Sequence, residues 1–258
     1  MCRKNLTCPT VAVPKDISLI LLDIEGTTTS ISFVKDELFP YILKHVRHFL
    51  EEHWNDKETQ AAISGLREQV KEDLNKDELK GIIPILSETH PKEQIIDSVV
   101  KNVEWQMGLD RKTTSLKQLQ GHMWVDAYKK KEVRGHLYED VTQCFRQWKD
   151  EGKQLCIYSS GSVAAQKLLF TYSVDGDITE YITDYFDTKI GGKREAASYT
   201  SICDHLKRQQ QLKSWITVYD SKRPGNAVLT IAQMKQFATI NSFEEIMFDE
   251  VASKKKKI

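Results

Sequence analysis

At 258 residues, with 40% apolar and 29% charged content, the chain has the composition of a globular protein large enough for one big domain or two unequal ones. Lys+Arg and Asp+Glu balance at 37 each, so no global basic surface argues for nucleic acid as a partner. No stretch approaches the roughly 18 apolar residues of a membrane helix, and residues 1–16 have no apolar core of signal-peptide length.

Residues 1–16 read as a flexible lead-in, broken by Pro9 and Pro14. Ile17 and Leu19 to Leu22 then form a near-continuous apolar run, the pattern of a strand buried on both faces in a parallel sheet. The run stops at Asp23, followed by Glu25, Gly26 and three threonines. A buried strand that delivers two carboxylates to its C-terminal end puts them where α/β sheets hold ligands. Gly26 makes the necessary curl of the backbone cheap. We read Asp23 as a nucleophile and Mg²⁺ ligand, with Glu25 as the acid/base beside it. The alternative is plain turn chemistry and a helix cap.

From Phe33 to Trp54, Phe39, Ile42, Leu43, Val46, Phe49 and Leu50 recur at helical spacing, with Pro40 in the first turn. Helical pieces continue at Ala61 to Leu74, after Pro91 (Ile95, Ile96, Val99, Val103) and after Thr114 or Ser115 as a cap (Leu116, Leu119, Met123). No convincing strand falls in this stretch, so residues 33–136 read as an all-helical cap inserted after the first strand.

The α/β pattern resumes in residues 137–258, which with 17–32 make the core. A helical stripe of Val141, Phe145 and Trp148 ends at Gly152, and the strand Gln154 to Tyr158 runs into Ser159, Ser160, Gly161 and Ser162. TDYFDTKIGGK, 183–193, leads to a helix bearing Tyr199, Ile202 and Leu206. Trp215 to Asp220 is a third strand candidate, again ending in a carboxylate, and RPGNAVLT, 223–230, is a turn. Short helices around Ile231 to Phe237 and Phe243 to Phe248 close the chain. Strands alternating with helices make this an α/β protein with a doubly wound parallel sheet, whose strand ends share one edge. The five cysteines (Cys2, Cys8, Cys144, Cys156, Cys203) show no C-x-x-C spacing, which suggests neither zinc nor disulfides and fits a reducing cytosolic compartment.

Phosphate suits the groups at that edge. Ser159 and Ser160 offer hydroxyls, and the following helix start offers unpaired N–H groups with a favourable dipole. The alternative is that Ser160 or Ser162 only caps the helix. Lys193, after Gly191 and Gly192, sits on a tether that would bring an ammonium to a phosphate as a point charge. A carboxylate attacking phosphorus faces repulsion between two anions, which Mg²⁺ and a lysine relieve.

Asp23-Ile24-Glu25-Gly26-Thr27-Thr28, the strand ending in Ser159-Ser160-Gly161-Ser162, and Lys193 after KIGG resemble the haloacid dehalogenase superfamily. FVKDELFPYI (33–42), DRKTTSLKQLQGHMW (110–124), YSSGSVAAQKLLF (158–170), YFDTKIGGK (185–193) and RPGNAVLT narrow the resemblance to the enolase-phosphatases of methionine salvage. The resemblance implies one Mg²⁺ per subunit and a phosphorylated diketone substrate, 2,3-diketo-5-methylthiopentyl 1-phosphate, enolised and then dephosphorylated to an acireductone. It places Asp23 and Glu25 in the metal pair, Glu25 through its backbone carbonyl. Ser159 and Ser160 fall in the phosphate site, and Lys193 becomes a substrate-binding lysine. It also implies a monomer, cytoplasmic and also nuclear; the balanced charge and the lack of a long apolar stretch lead us to expect no nucleic acid or membrane partner.

One departure stands out. In that family a helix and a strand separate the metal-binding strand from the RPGNA turn, whereas here Asp220 and Arg223 are nearly adjacent. Either Asp220, 27 positions after Lys193, is the second metal carboxylate, or Trp215–Asp220 is the later strand and the metal aspartate is lost. Loss would leave a catalytically impaired relative with a binding role; a generic small-molecule phosphatase is a further alternative. The residues for enolisation are sought in Asp110 to Gly121 of the cap. Lys254 to Lys257 are either a solvated end or a patch for nuclear import or an anionic surface.

Overall fold

The computed structural model describes residues 11–75, 80–208, 215–216, 220–221, 223, 226 and 239–249. The expected helix at 231–237, the lysine tail, Cys2 and Cys8 lie outside the described residues. The chain divides into two compact units, Met1–Val34 with Arg134–Ile258, and Lys35–Val133. The divide falls within three residues of the limits read for the cap.

The first unit is built on β2 (Leu19–Leu22), all four of whose residues are buried. It pairs in parallel with β3 (Gln154–Tyr158) on one side and β5 (Trp215–Ile216) on the other. β4 (Asp184–Phe186) extends the sheet beyond β3, giving the order β4-β3-β2-β5. Because side chains alternate across a pleated strand, Leu19, Leu21, Cys156 and Tyr158 share one face and pack on Ile202 and Leu206 of α7 (Ala196–Arg208). Two further helices connect the strands. α5 (Val141–Asp150) buries Val141, Cys144, Phe145 and Trp148 and stops at Gly152, whose φ of 76° is the left-handed turn a glycine permits. α6 (Val163–Thr171) starts at Ser162, whose hydroxyl accepts the Ala165 N–H at 3.3 Å.

The second unit holds α1 (Phe39–Glu52), α2 (Lys57–Leu74), α3 (Lys92–Gly108) and α4 (Thr114–Lys129). Ile42, Val46, Ile63, Leu66, Ile96, Val99, Val103, Leu116 and Leu119 form its core at the i, i+3, i+4 spacing of amphipathic helices. The helix expected from Phe33 begins instead with a π-helical turn, Phe33–Leu38, and only then becomes α1. The cap of α4 is Thr113 rather than Thr114 or Ser115, and its hydroxyl donates to Gln106 Oε1 at 2.7 Å rather than capping the helix. Among the described residues this unit contains no strand, and none of its helices is long and apolar enough to cross a membrane.

Three expectations are corrected. The lead-in is not wholly irregular: Val11–Pro14 forms β1, parallel to β8 (Ile246–Asp249). Its partner lies at the other end of the chain, so no local pattern reveals it. For the same reason Phe243 to Phe248 is not a helix. Phe243–Glu245 makes one 3₁₀ turn capped by Ser242, and Ile246 onwards extends to meet β1. The strand expected over Trp215–Asp220 does not stay in one sheet: among the described residues Trp215–Ile216 belongs to β5, while Asp220 opens β6 (Asp220–Ser221), paired in parallel with β7 (Thr239–Ile240).

Candidate active site

The site begins where β2 ends. Asp23 Oδ1 accepts the N–H of Ile24 at 2.7 Å. The chain then folds on itself: Thr27, Thr28 and Thr29 all donate N–H to the Ile24 carbonyl (3.1, 2.9 and 3.0 Å), and Gly26 donates to Thr29 O at 2.7 Å. Gly26 holds a φ of 73°, and the three threonines are buried beneath the turn. Glu25 is left exposed at its outer edge.

The second arm comes from the Gly191-Gly192 loop. Its end, Lys193, pairs through Nζ with Asp23 Oδ1, both side chains being 33% exposed. The lysine is held from behind. The Tyr158 hydroxyl donates to Gly191 O and the Tyr199 hydroxyl to Lys193 O, each at 2.8 Å. Ser198 Oγ donates to Gly192 O at 2.9 Å, so close that a Cβ on Gly191 (φ 129°) would lie 2.1 Å from that oxygen. Burial, with Tyr158 and the Asp23 carboxylate nearby, pushes the Tyr199 phenol up, so it remains a donor.

The third arm is the loop after β3. Since Leu22 pairs with Ile157, Asp23 and Ser159 leave neighbouring strands at the same edge. Ser159 is buried, donating its N–H to Phe186 O at 3.1 Å, whereas Ser160 is exposed. Of the two readings of the helix start behind them, capping by Ser162 is the one seen. Asp187 Oδ2 takes the Val163 N–H at 3.1 Å, and Ser162 Oγ takes that of Ala165. The N–H groups of Val163 and Ala165 are thus already paired within the protein. Asp187 also accepts the Lys189 N–H at 2.9 Å, and Gln166 Nε2 donates to the carbonyls of Gly161 and Phe186 at 2.8 and 2.9 Å. These two residues tie the serine loop to the lysine loop. Sequence reasoning passed over both. The signal was present for Asp187, which follows a short strand just as Asp23 does.

Asp23, Ser159 and Lys193 thus come together at one sheet edge, with Glu25 and Ser160 exposed on the loops that follow. The backbone of Asp220 lies in β6 rather than at the end of β5.

Magnesium prefers hard oxygen ligands, one or two of them carboxylates, with water completing the shell. Asp23 fits. Its Oδ1 holds Lys193 and Ile24, while among the described residues Oδ2 carries neither a hydrogen bond nor an ion pair. The helical unit groups Glu52, His53 and Asp126, but Lys130 already bridges the two carboxylates at 2.9 and 2.7 Å.

A parallel sheet that gathers its charged side chains past the strand ends, and is interrupted after its first central strand by a helical unit, defines a haloacid dehalogenase-like hydrolase. A family model of that description matches residues 17–213. Among curated proteins, enolase-phosphatase E1 of Anopheles gambiae is 48% identical over 244 residues, covering 89% of this chain and 82% of that one. Enolase-phosphatase E1 of Xenopus tropicalis is 44% identical over 254 residues, 92% of this chain and 97% of that one. The crystal structure of the UTR4 protein of Saccharomyces cerevisiae superposes with a TM-score of 0.63 at 28% identity, covering 88% of this chain and 98% of that one. The chain belongs to the enolase-phosphatase E1 family.

Proposed function

We propose that the protein is a Mg²⁺-dependent phosphoric monoester hydrolase, an acireductone synthase. It enolises 2,3-diketo-5-methylthiopentyl 1-phosphate and then removes the phosphate, within methionine salvage. The observation that carries this reading is the meeting of Lys193 with Asp23 at the end of β2, in a chain of this family.

Asp23 attacks phosphorus through its carboxylate, forming an aspartyl-phosphate as the ester oxygen leaves. Lys193 lies against the same carboxylate and offsets the clash of two anions. The Ser159–Ser160 loop receives the phosphoryl oxygens. Glu25 protonates the leaving alkoxide, then takes a proton from the water that hydrolyses the aspartyl-phosphate. Asp23, the backbone carbonyl of Glu25 and the Asp220 carboxylate would hold Mg²⁺, which supplies positive charge for the phosphoryl oxygens. The protein acts as a monomer in the cytoplasm, and in the nucleus as well.

The test is phosphate release from the diketo-phosphate with Mg²⁺, abolished in Asp23→Asn. A second reading, an impaired relative that binds without turnover, is favoured by one observation: Asp220 opens β6, three residues before Arg223. Calorimetric titration of Mg²⁺ into wild type and Asp220→Ala separates the two, since equal affinities would remove Asp220 from the ligands.

A further inference from the structure

Beyond residue 213, where the match to the hydrolase family model ends, the chain returns to the turn that follows Asp23. Arg223, 6% exposed, donates from Nε to the carbonyl of Thr27 at 3.1 Å. Its two terminal nitrogens meet the two oxygens of Asp140 at 2.9 and 2.8 Å, and one of them also donates to Asn241 O at 3.2 Å. The guanidinium lies 4.6 Å from the ring centroids of both Tyr138 and Phe243. Asp140 in turn accepts the Ser242 hydroxyl and the Phe243 N–H at 2.9 and 2.6 Å. Three residues on, Asn226 Nδ2 donates to the carbonyl of Gly26 at 2.9 Å. It packs so closely that a Cβ on Gly26 would come within 2.3 Å of its Oδ1.

The two bonds fall on consecutive carbonyls, those of Gly26 and Thr27, directly after Glu25. The turn's own bonds use the carbonyls of Ile24 and Thr29, so those of Gly26 and Thr27 are satisfied from the C-terminal segment. We propose that Arg223 and Asn226 are positioning residues, which lock the Gly26–Thr27 turn and through it fix Glu25. A turn built on a glycine at positive φ has backbone freedom to lose. An acid/base, by contrast, must stay within hydrogen-bond reach of its proton acceptor. A buried ion pair adds little net stability, but the planar fork of an arginine held between two rings sets geometry well. The role assigned to Glu25 rests on the function proposed above; the clamp on the turn does not.

The experiment compares wild type, Asn226→Ala, the nearly isosteric Asn226→Asp and Glu25→Gln. Hydrogen exchange is followed over Ile24 to Ser30, together with steady-state turnover of the diketo-phosphate. Both Asn226 variants lose the donated N–H. Their turn amides should exchange at least about tenfold faster, and kcat should fall about tenfold or more while KM stays within about twofold. Asn226→Asp keeps the packing, so it reports even if Asn226→Ala does not fold. Unchanged exchange in the variants, or wild-type behaviour of Asn226→Asp, overturns the proposal. Full activity in Glu25→Gln overturns only the acid/base assignment, since the exchange data still decide the clamp.

Discussion

Lys193 closes on Asp23 from the far side of the sequence, with the whole helical unit between them, and its ammonium meets the oxygen that also accepts the Ile24 N–H. A strand end supplies the carboxylate and a loop backed by two tyrosines supplies the ammonium. The pair is a third exposed, so its worth lies in charge placement more than in stability.

Lys193→Ala should therefore cost on the order of 10²-fold or more in kcat, as removal of a charge-stabilising donor does. The melting temperature should hardly move, because a solvent-screened pair contributes about 0–1 kcal/mol. Lys193→Arg should not restore activity, since a planar fork does not replace a compact ammonium. Phosphate release and thermal melts check both statements.

The pair Arg223–Asp140 is of the opposite kind, buried and 2.8–2.9 Å apart. Asp140→Ala leaves a guanidinium without its partner in the core. A loss of about 3–5 kcal/mol is expected in urea unfolding. Because Asp140 also accepts from Ser242 and Phe243 and Arg223 also donates to Thr27 and Asn241, replacing both residues by apolar ones should not recover that loss, and a double variant of wild-type stability would contradict this account.

Asp187→Ala releases the N–H groups of Val163 and Lys189 at once. Losing the carboxylate at the start of α6 should cost about 1–2 kcal/mol. The serine and lysine loops that it ties should loosen together, with kcat/KM down by about tenfold. An Asp187→Ala enzyme with wild-type kcat/KM would show that the loops hold their places without it.

Burial pushes the thiols of Cys144 and Cys156 up to about 12. Both stay neutral and unreactive toward alkylating reagents at neutral pH until the chain unfolds. A pKa raised in the folded state means that the fold binds the proton more tightly. The contribution is thus complete below the ordinary thiol range and is lost as pH climbs toward about 12. Urea midpoints should fall over that alkaline window, and Cys156→Ala should flatten part of the fall.

What was legible in the sequence was whatever depends on near neighbours along the chain. Leu19 to Leu22 read as a doubly buried strand, the helical spacing from Phe39 to Met123 marked the inserted unit, and Gly26 marked the curl of the backbone after Asp23. The resemblance carried by Asp23, Ser159 and Lys193 led to the family. Tertiary structure decided the rest, because it depends on groups distant in sequence. It paired β1 with β8, put Trp215–Ile216 and Asp220–Ser221 in different sheets, gave the Val163 N–H to Asp187, and set Arg223 and Asn226 against the carbonyls after Glu25. A hydrogen bond between residues far apart leaves no periodicity behind, and only the folded chain reveals where its buried polar groups find partners.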